Sequence, residues 1–359
     1  MVDVADGPAP SITSFRSELR SILSAGPPSR SRDVVVFAID GVPHRIAAAI
    51  WRRAAIKRLQ SVFPTTSSVG WLSSLTGEDV DAHGVPGVVF RDPKGGSGLV
   101  EVFSYKGPLC GPMNGNVFSD AARLGYQPIS LLGDLQSYDC SWRDSLLQHS
   151  QPLSGRRIYT VDRPLQPEEI CRSLRDVIDP LLTAPSECAR LVWCFVDLDQ
   201  HVHRSGYDEH VSLLLECFEG LALELIARDA IVLAHSDHGL VRTENDPTIS
   251  QLFETLESDF DCAVGGAGRA RWIYAPSSST KVVREELVSA LPASSRVCSP
   301  AEFFAAGSLA HSRVGEIMVL AEGDEFVTSP GYVYDHGSLA DDEIYVPLAC
   351  WGRDVDLDS

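Results

Sequence analysis

The chain has 359 residues and carries 30 Lys and Arg against 49 Asp and Glu, a formal charge of −19. Affinity for phosphate backbones rests on Lys and Arg displacing condensed counterions, so this composition excludes a nucleic-acid duplex and an anionic membrane as partners. At 44% hydrophobic and 22% charged residues it is that of a globular protein, long enough for one large domain or two modest ones. No stretch approaches the roughly 18 to 20 apolar residues of a membrane helix. Met1 to Arg32 lacks a basic start followed by an apolar run, so the expected location is cytoplasmic. Nine cysteines lie scattered without a CxxC pair and read as free thiols, several of them small hydrophobes in apolar runs.

In chain order, residues 1–32 read as a flexible lead, with a short helix over Ser14–Leu23 and the breaker run Gly26, Pro27, Pro28. Asp33 to Ile39 is an apolar, β-branched run typical of a central strand covered on both faces, closed by Asp40 and Gly41. A helix is expected over Ala47–Leu59, then a Ser/Thr-rich turn leading into Val69–Thr76. Residues 90–115 read as a long excursion, and Asn116 as the N-cap of a helix over Val117–Leu124. Leu191–Asp197 and Ala230–His235 repeat the build of the first strand, with a helical pattern over Val211–Arg228 between them. Strand, helix, strand is the signature of a parallel α/β sheet. Residues 258–331 mix short strands with a Ser-rich linker and read as a small cap insertion.

Open α/β sheets bind ligands beyond the carboxyl ends of their strands. Each of the three apolar strands ends in candidate metal ligands: Asp40 after the first, Asp197, Asp199, His201 and His203 after the second, Asp237 and His238 before Gly239 after the third. Asp335 and His336 form a fourth cluster. Imidazoles with carboxylates suit zinc, and also manganese or iron. Other readings remain: Asp40 alone is also a turn former, and His235 reads as a core-side residue. Asp199 with His203 and Asp197 with His201 share the i, i+4 spacing, which does not choose between them. Thr65, Thr66, Ser67 and Ser68 place four hydroxyls at a helix start, where free N–H groups favour a phosphate oxygen and a nearby alkoxide; the same residue types are the commonest N-caps.

Taken in order, these blocks resemble the alkaline phosphatase superfamily, closest to its type I phosphodiesterase and nucleotide pyrophosphatase branch. The blocks are Val34–Gly41, Ser61–Gly77 with His83 and Gly84, Asp199–Gly206, Ser236–Gly239, and His336 with Gly337, and they span residues 34–351. The resemblance implies an alkaline-phosphatase-like three-layer α/β/α domain over 33–359, with a mostly parallel central sheet. It implies two divalent metal ions. Asp199 and His203, identified by Gly206 three residues on, would hold one with His336; Asp40, Asp237 and His238 would hold the other, which also meets the nucleophile. The family places the nucleophilic hydroxyl ten residues before the Gly of a Thr-Gly pair, here Gly77, which implies Ser67; relatives in this branch carry Thr there, and Thr66 is the fallback. Glu343, after the last His, is implied as an orienter of a metal-bound His or as a plain surface acid. The implied reaction cleaves a small-molecule phosphate ester, a phosphodiester or pyrophosphate, through a covalent phosphoserine. Phosphomonoester hydrolysis, phosphotransfer or mutase chemistry, and a noncatalytic PglZ-like interaction module are the alternatives.

Overall fold

The computed structural model describes residues 8–25, 32–95, 98–154 and 166–352. The apolar run after Asp33 forms β1 (Val34–Ile39), with every residue buried. Around it lie β2 (Ala55–Gln60), β3 (Gln127–Leu131), β4 (Gln151–Leu153), β5 (Arg190–Val196), β6 (Ile231–His235) and β7 (Tyr345–Trp351). Together they make a seven-stranded sheet in the order β2-β7-β6-β1-β5-β3-β4. β1 pairs in parallel with β5 and β6, and β3 with β5 and β4, while β7 is antiparallel to both its neighbours.

A strand covered on both faces can be apolar throughout, and β1 shows why. Val34, Val36 and Ala38 join one core with Phe15, Trp71, Leu72, Phe118 and Trp193; Val35, Phe37 and Ile39 join a second with Ile178, Leu214, Leu215 and Phe218. Helices Phe15–Ser24, Ser67–Thr76 and Val117–Arg123 cover the first face, and His44–Ile50, Pro167–Thr183 and Glu209–Ile226 the second. The three-layer α/β/α architecture is the one expected. Among the described residues, no helix is long and apolar enough to cross a membrane.

Three expectations change. The lead is not wholly flexible: Ser11 bridges to Gln60, and the short helix expected over Ser14–Leu23 forms as Phe15–Ser24, burying Phe15, Leu19, Ile22 and Leu23. That i, i+4, i+7, i+8 stripe outweighs the Pro/Ser composition, since each such side chain gains about 1.5–3 kcal/mol by burial. Arg16 anchors the helix through Asp120 (2.7 Å) and the Thr76 carbonyl (2.6 Å). The breaker run 26–28 lies outside the described residues. Second, the helix expected over Ala47–Leu59 is His44–Ile50 followed by β2; pairing with β7, Ala55 opposite Cys350 through Gln60 opposite Tyr345, overrides local helix propensity.

Third, the 258–331 stretch does not build its sheet alone. Its strands Ala263–Ala267, Ala270–Tyr274, Ser295–Cys298 and Ile317–Ala321 are extended by Val89–Arg91 and Leu99–Glu101 from the earlier excursion, giving six strands. One face of this sheet packs Trp272, Met318 and Leu320 with Val69 of helix Ser67–Thr76 and with Val80. The second sheet is thus bonded to the helix whose start carries the candidate hydroxyls.

His83 braces the same helix. Fully buried, it accepts the Val85 N–H at Nδ1 (3.2 Å), so its Nε2–H donates to Ser73 Oγ (3.0 Å). Burial, and then Arg313, push its pKa down to about 3, well below the usual 6.5. Between those values the unfolded chain binds a proton that the folded chain does not, so stability falls as pH drops below 6.5, by roughly 1.4 kcal/mol per pH unit. His83→Gln is expected to lower stability at pH 8 by about 1–2 kcal/mol and to flatten the fall between pH 6.5 and 4 by one proton's worth. Urea unfolding across that range measures both; an unchanged slope contradicts the assignment.

Candidate metal centre and active site

The parallel arrangement brings the ends of β1, β5 and β6 to one edge, and with them Asp40, Asp197 with Asp199, and Asp237 with His238. Two glycines permit the approach of the other parts. A Cβ on Gly70 would stand 2.9 Å from Asp237 Cβ and Asp237 O, so glycine lets the helix at Ser67 close on this turn. A Cβ on Gly239 would collide with Asp342 O, so that residue serves backbone proximity. Ser236 Oγ accepts the Val42 N–H and donates to His238 O, both at 2.8 Å. Tyr207 OH donates to Gly41 O (2.9 Å) and accepts the Leu240 N–H (2.8 Å), tying the same two turns from the other side.

Ligating atoms of Asp40, Asp237 and His238 lie within 4.8 Å of one another, as do those of Asp199, His238 and His336, and those of His203, Asp335 and His336. His203 Nε2 lies 3.1 Å from Asp199 Oδ2, and His336 Nε2 3.7 Å from Asp199 Oδ1. All six carried-over ligands therefore meet in one place. Asp199 Oδ1 and Asp237 Oδ2 are buried with no hydrogen-bond partner among the described residues.

The three histidines share one orientation. Each has Nδ1 against a backbone carbonyl: His203 at Tyr334 O (2.8 Å), His336 at Thr65 O (2.7 Å), His238 at Gly239 O (3.2 Å). A carbonyl can only accept, so Nδ1 carries the hydrogen and Nε2 faces the carboxylates. This is the support that metal-ligating imidazoles ordinarily receive. With unpartnered carboxylate oxygens opposite, the donor set fits two divalent cations of the kind that imidazole and carboxylate bind.

Among the protein groups alone, this cluster is strained by its charge. Burial, and then Asp199, hold the Asp40 carboxyl up at about 7; burial, and then Asp40, hold Asp237 well above its usual range. Burial alone would raise Asp199, but His203 and His336 pull it below the usual carboxylate range. Burial alone would lower His203, but Asp199 holds it up at about 9.

Ser67 opens helix Ser67–Thr76 and directs Oγ into the cluster, 3.1 Å from His238 Nε2 and 3.2 Å from Asp40 Oδ1. Thr66 precedes it, with Oγ1 paired to Ser68 Oγ at 3.1 Å. Trp71 Nε1 donates to the other Asp40 oxygen at 3.1 Å. A cavity of about 250 Å³ opens on Ser67, Asp40, Asp199, His203 and His336, walled by Phe103, Tyr138 and Trp142.

The i, i+4 ambiguity resolves by position: His201 Nε2 turns away to Asp208 (3.1 Å), while Asp197 lines the cavity beside Asp199. Asn116 caps its helix as read. Glu343 is fully buried, which excludes the surface-acid reading; its two oxygens accept the N–H groups of Ser338 and Ala340 (2.9 Å each) and face Arg269 Nε at 3.3 Å. Asp335, read in the fourth candidate cluster but outside the six ligands that the resemblance implies, stands with His203 and His336. It accepts the His336 N–H and the Thr328 hydroxyl, both at 2.9 Å, and its position beside His336 was the only signal.

No family model matches the sequence, and no curated protein matches it. Among solved structures it is similar to murine ectonucleotide pyrophosphatase/phosphodiesterase 5, with TM-score 0.66 and 14% identity over 89% of this chain and 88% of that one. The human counterpart gives 0.65 and 15% over 90% and 88%. Phosphonoacetate hydrolase from Sinorhizobium meliloti 1021, in complex with phosphonoacetate, gives 0.62 and 17% over 90% and 92%. The chain has the alkaline-phosphatase-like fold. The fold expected from the ordered blocks is therefore borne out.

Cations that offset the buried carboxylates stabilise the folded chain by mass action. Zinc added to chelator-treated protein is expected to raise its thermal midpoint, and Asp237→Ala to bind about one cation fewer and show a smaller rise. Calorimetric scans with elemental analysis measure this; an identical rise and metal content in the variant contradicts it.

Proposed function

We propose that this chain is a two-metal hydrolase of small-molecule phosphate esters, acting through Ser67. The observation that carries the reading is the Ser67 hydroxyl within hydrogen-bond reach of both Asp40 and His238, at a helix N-terminus facing the cavity. Asp40, Asp237 and His238 would hold one cation and Asp199, His203 and His336 the other, zinc, manganese or iron suiting the set. When bound, such cations supply positive charge that lowers the hydroxyl pKa and stabilises phosphoryl oxygens. Asp40 Oδ1 accepts the Ser67 hydroxyl hydrogen bond and is the first station for its proton. As Oγ bonds to phosphorus, the bond to the leaving oxygen breaks on the opposite side; water then cleaves the phosphoserine and restores the hydroxyl. The first N–H groups of helix Ser67–Thr76 add a positive field at the phosphoryl group.

A phosphodiester or pyrophosphate is the favoured substrate. The support is the similarity to structures titled pyrophosphatase/phosphodiesterase, one of them an inactive threonine-to-alanine form of the murine protein in complex with AMP. Around the cavity, Phe103, Tyr138 and Trp142 offer an apolar wall to the organic group of such an ester.

Ser67→Ala is expected to keep the wild-type metal content, about two cations, and to lose turnover of nitrophenyl mono- and diesters by about a thousandfold or more. Retained turnover assigns attack to another group, and Thr66→Val tests the neighbouring hydroxyl.

A further inference from the structure

Thr65 stands two residues before Ser67, fully buried and outside the cavity lining. It makes hydrogen bonds to three consecutive residues of a loop 271 positions away. Its carbonyl accepts the His336 Nδ1–H (2.7 Å), its hydroxyl accepts the Gly337 N–H (3.0 Å), and the same hydroxyl donates to Ser338 O (3.0 Å). The carbonyl bond fixes which nitrogen His336 presents to Asp199, and the two hydroxyl bonds fix the height of the loop on the turn that leads into helix Ser67–Thr76. Only a hydroxyl serves both as acceptor and as donor there.

The loop has a second, separate support. Arg269 N–H donates to His336 O (2.8 Å), and Glu343 holds the N–H groups of Ser338 and Ala340. Loss of the Thr65 hydroxyl therefore shifts the loop without releasing it.

We propose that Thr65 is a positioning residue that couples the Ser67 turn to the His336 ligand. Resting on the two-cation reading above, the coupling makes the setting of His336 against Asp199 and His203 and the setting of Ser67 against Asp40 a single event. A cation held by Asp199, His203 and His336 then fixes the turn that carries the hydroxyl, although Ser67 bonds to residues of the other ligand set.

Full-length protein is stripped with chelator and titrated with cobalt, followed by its visible absorbance, for wild type, Thr65→Val and Thr65→Ser. Wild type is expected to take up two equivalents. Thr65→Val is expected to bind the first normally and the second about 10–100-fold more weakly, the range typical for loss of a ligand's supporting group. With saturating metal its kcat on a nitrophenyl diester falls while KM changes little, because the hydroxyl touches no substrate. Thr65→Ser, which keeps the hydroxyl, restores both readouts. Thr65→Ala removes the same group without the bulk of Val and gives the same pattern where Val disturbs folding. A second cation bound as tightly in Val and Ala as in wild type overturns the coupling alone, as does a Ser variant as weak as Val. Wild-type protein that takes up no cation overturns the two-cation reading and the coupling with it.

Discussion

The site is organised by one electrostatic constraint: three carboxylates, Asp40, Asp199 and Asp237, converge in a buried shell, and no Lys or Arg stands among the described residues lining the cavity onto which Asp40 and Asp199 open. Parallel pairing of β1 with β5 and β6 forces the convergence, because it brings three strand ends to one edge. Like charges at short range in a poorly hydrated setting are costly, and the perturbed carboxyls of Asp40 and Asp237 register that cost. Divalent cations bound there would relieve it, and the clustered ligand atoms could hold them. The −19 of the whole chain thus has a local counterpart in this buried cluster of carboxylates.

The histidines complete the shell under a different rule. Each is locked by a carbonyl at Nδ1, from Tyr334, Thr65 or Gly239, and so offers Nε2 inward whatever the solution conditions do to exposed imidazoles. Rigid elements hold the carboxylates and backbone carbonyls aim the imidazoles. The two kinds of support come from distant parts of the chain, and the second sheet joins them: Arg269, at its central hairpin, reaches both the His336 carbonyl and Glu343.

The candidate ligands were legible because their chemistry is concentrated in short blocks: Asp40 and Gly41, Asp199 with His203, Asp237 with His238, His336 with Gly337. The apolar runs of β1, β5 and β6 were legible for the same reason, since complete burial leaves a continuous signature. What escaped was set by partners far along the chain. β2 lies in an Ala-rich context that favours helix, and only the β7 segment some 290 residues later makes it a strand. The lead helix was expected, but its docking depends on distant partners, Arg16 reaching Asp120 and the Thr76 carbonyl. Thr65 and Glu343 look like a cap and a surface acid until His336 and Arg269 are seen beside them.

The order of strands along the chain has a consequence for biosynthesis. Among the described residues Val34 of β1 has no strand partner until Leu191 emerges, and β2 waits for β7, some 290 residues further along. Such non-local pairing is slow to form, and it leaves apolar strands exposed in the meantime. His336 emerges after all three of the strand-end carboxylates Asp40, Asp199 and Asp237. A nascent chain therefore holds these carboxylates apart, in water, until β6 pairs with β1, and His336 joins the crowded charge later. Under the two-cation reading, closure of the fold and acquisition of cations would coincide, so metal supply at that moment would bear on the yield of folded protein.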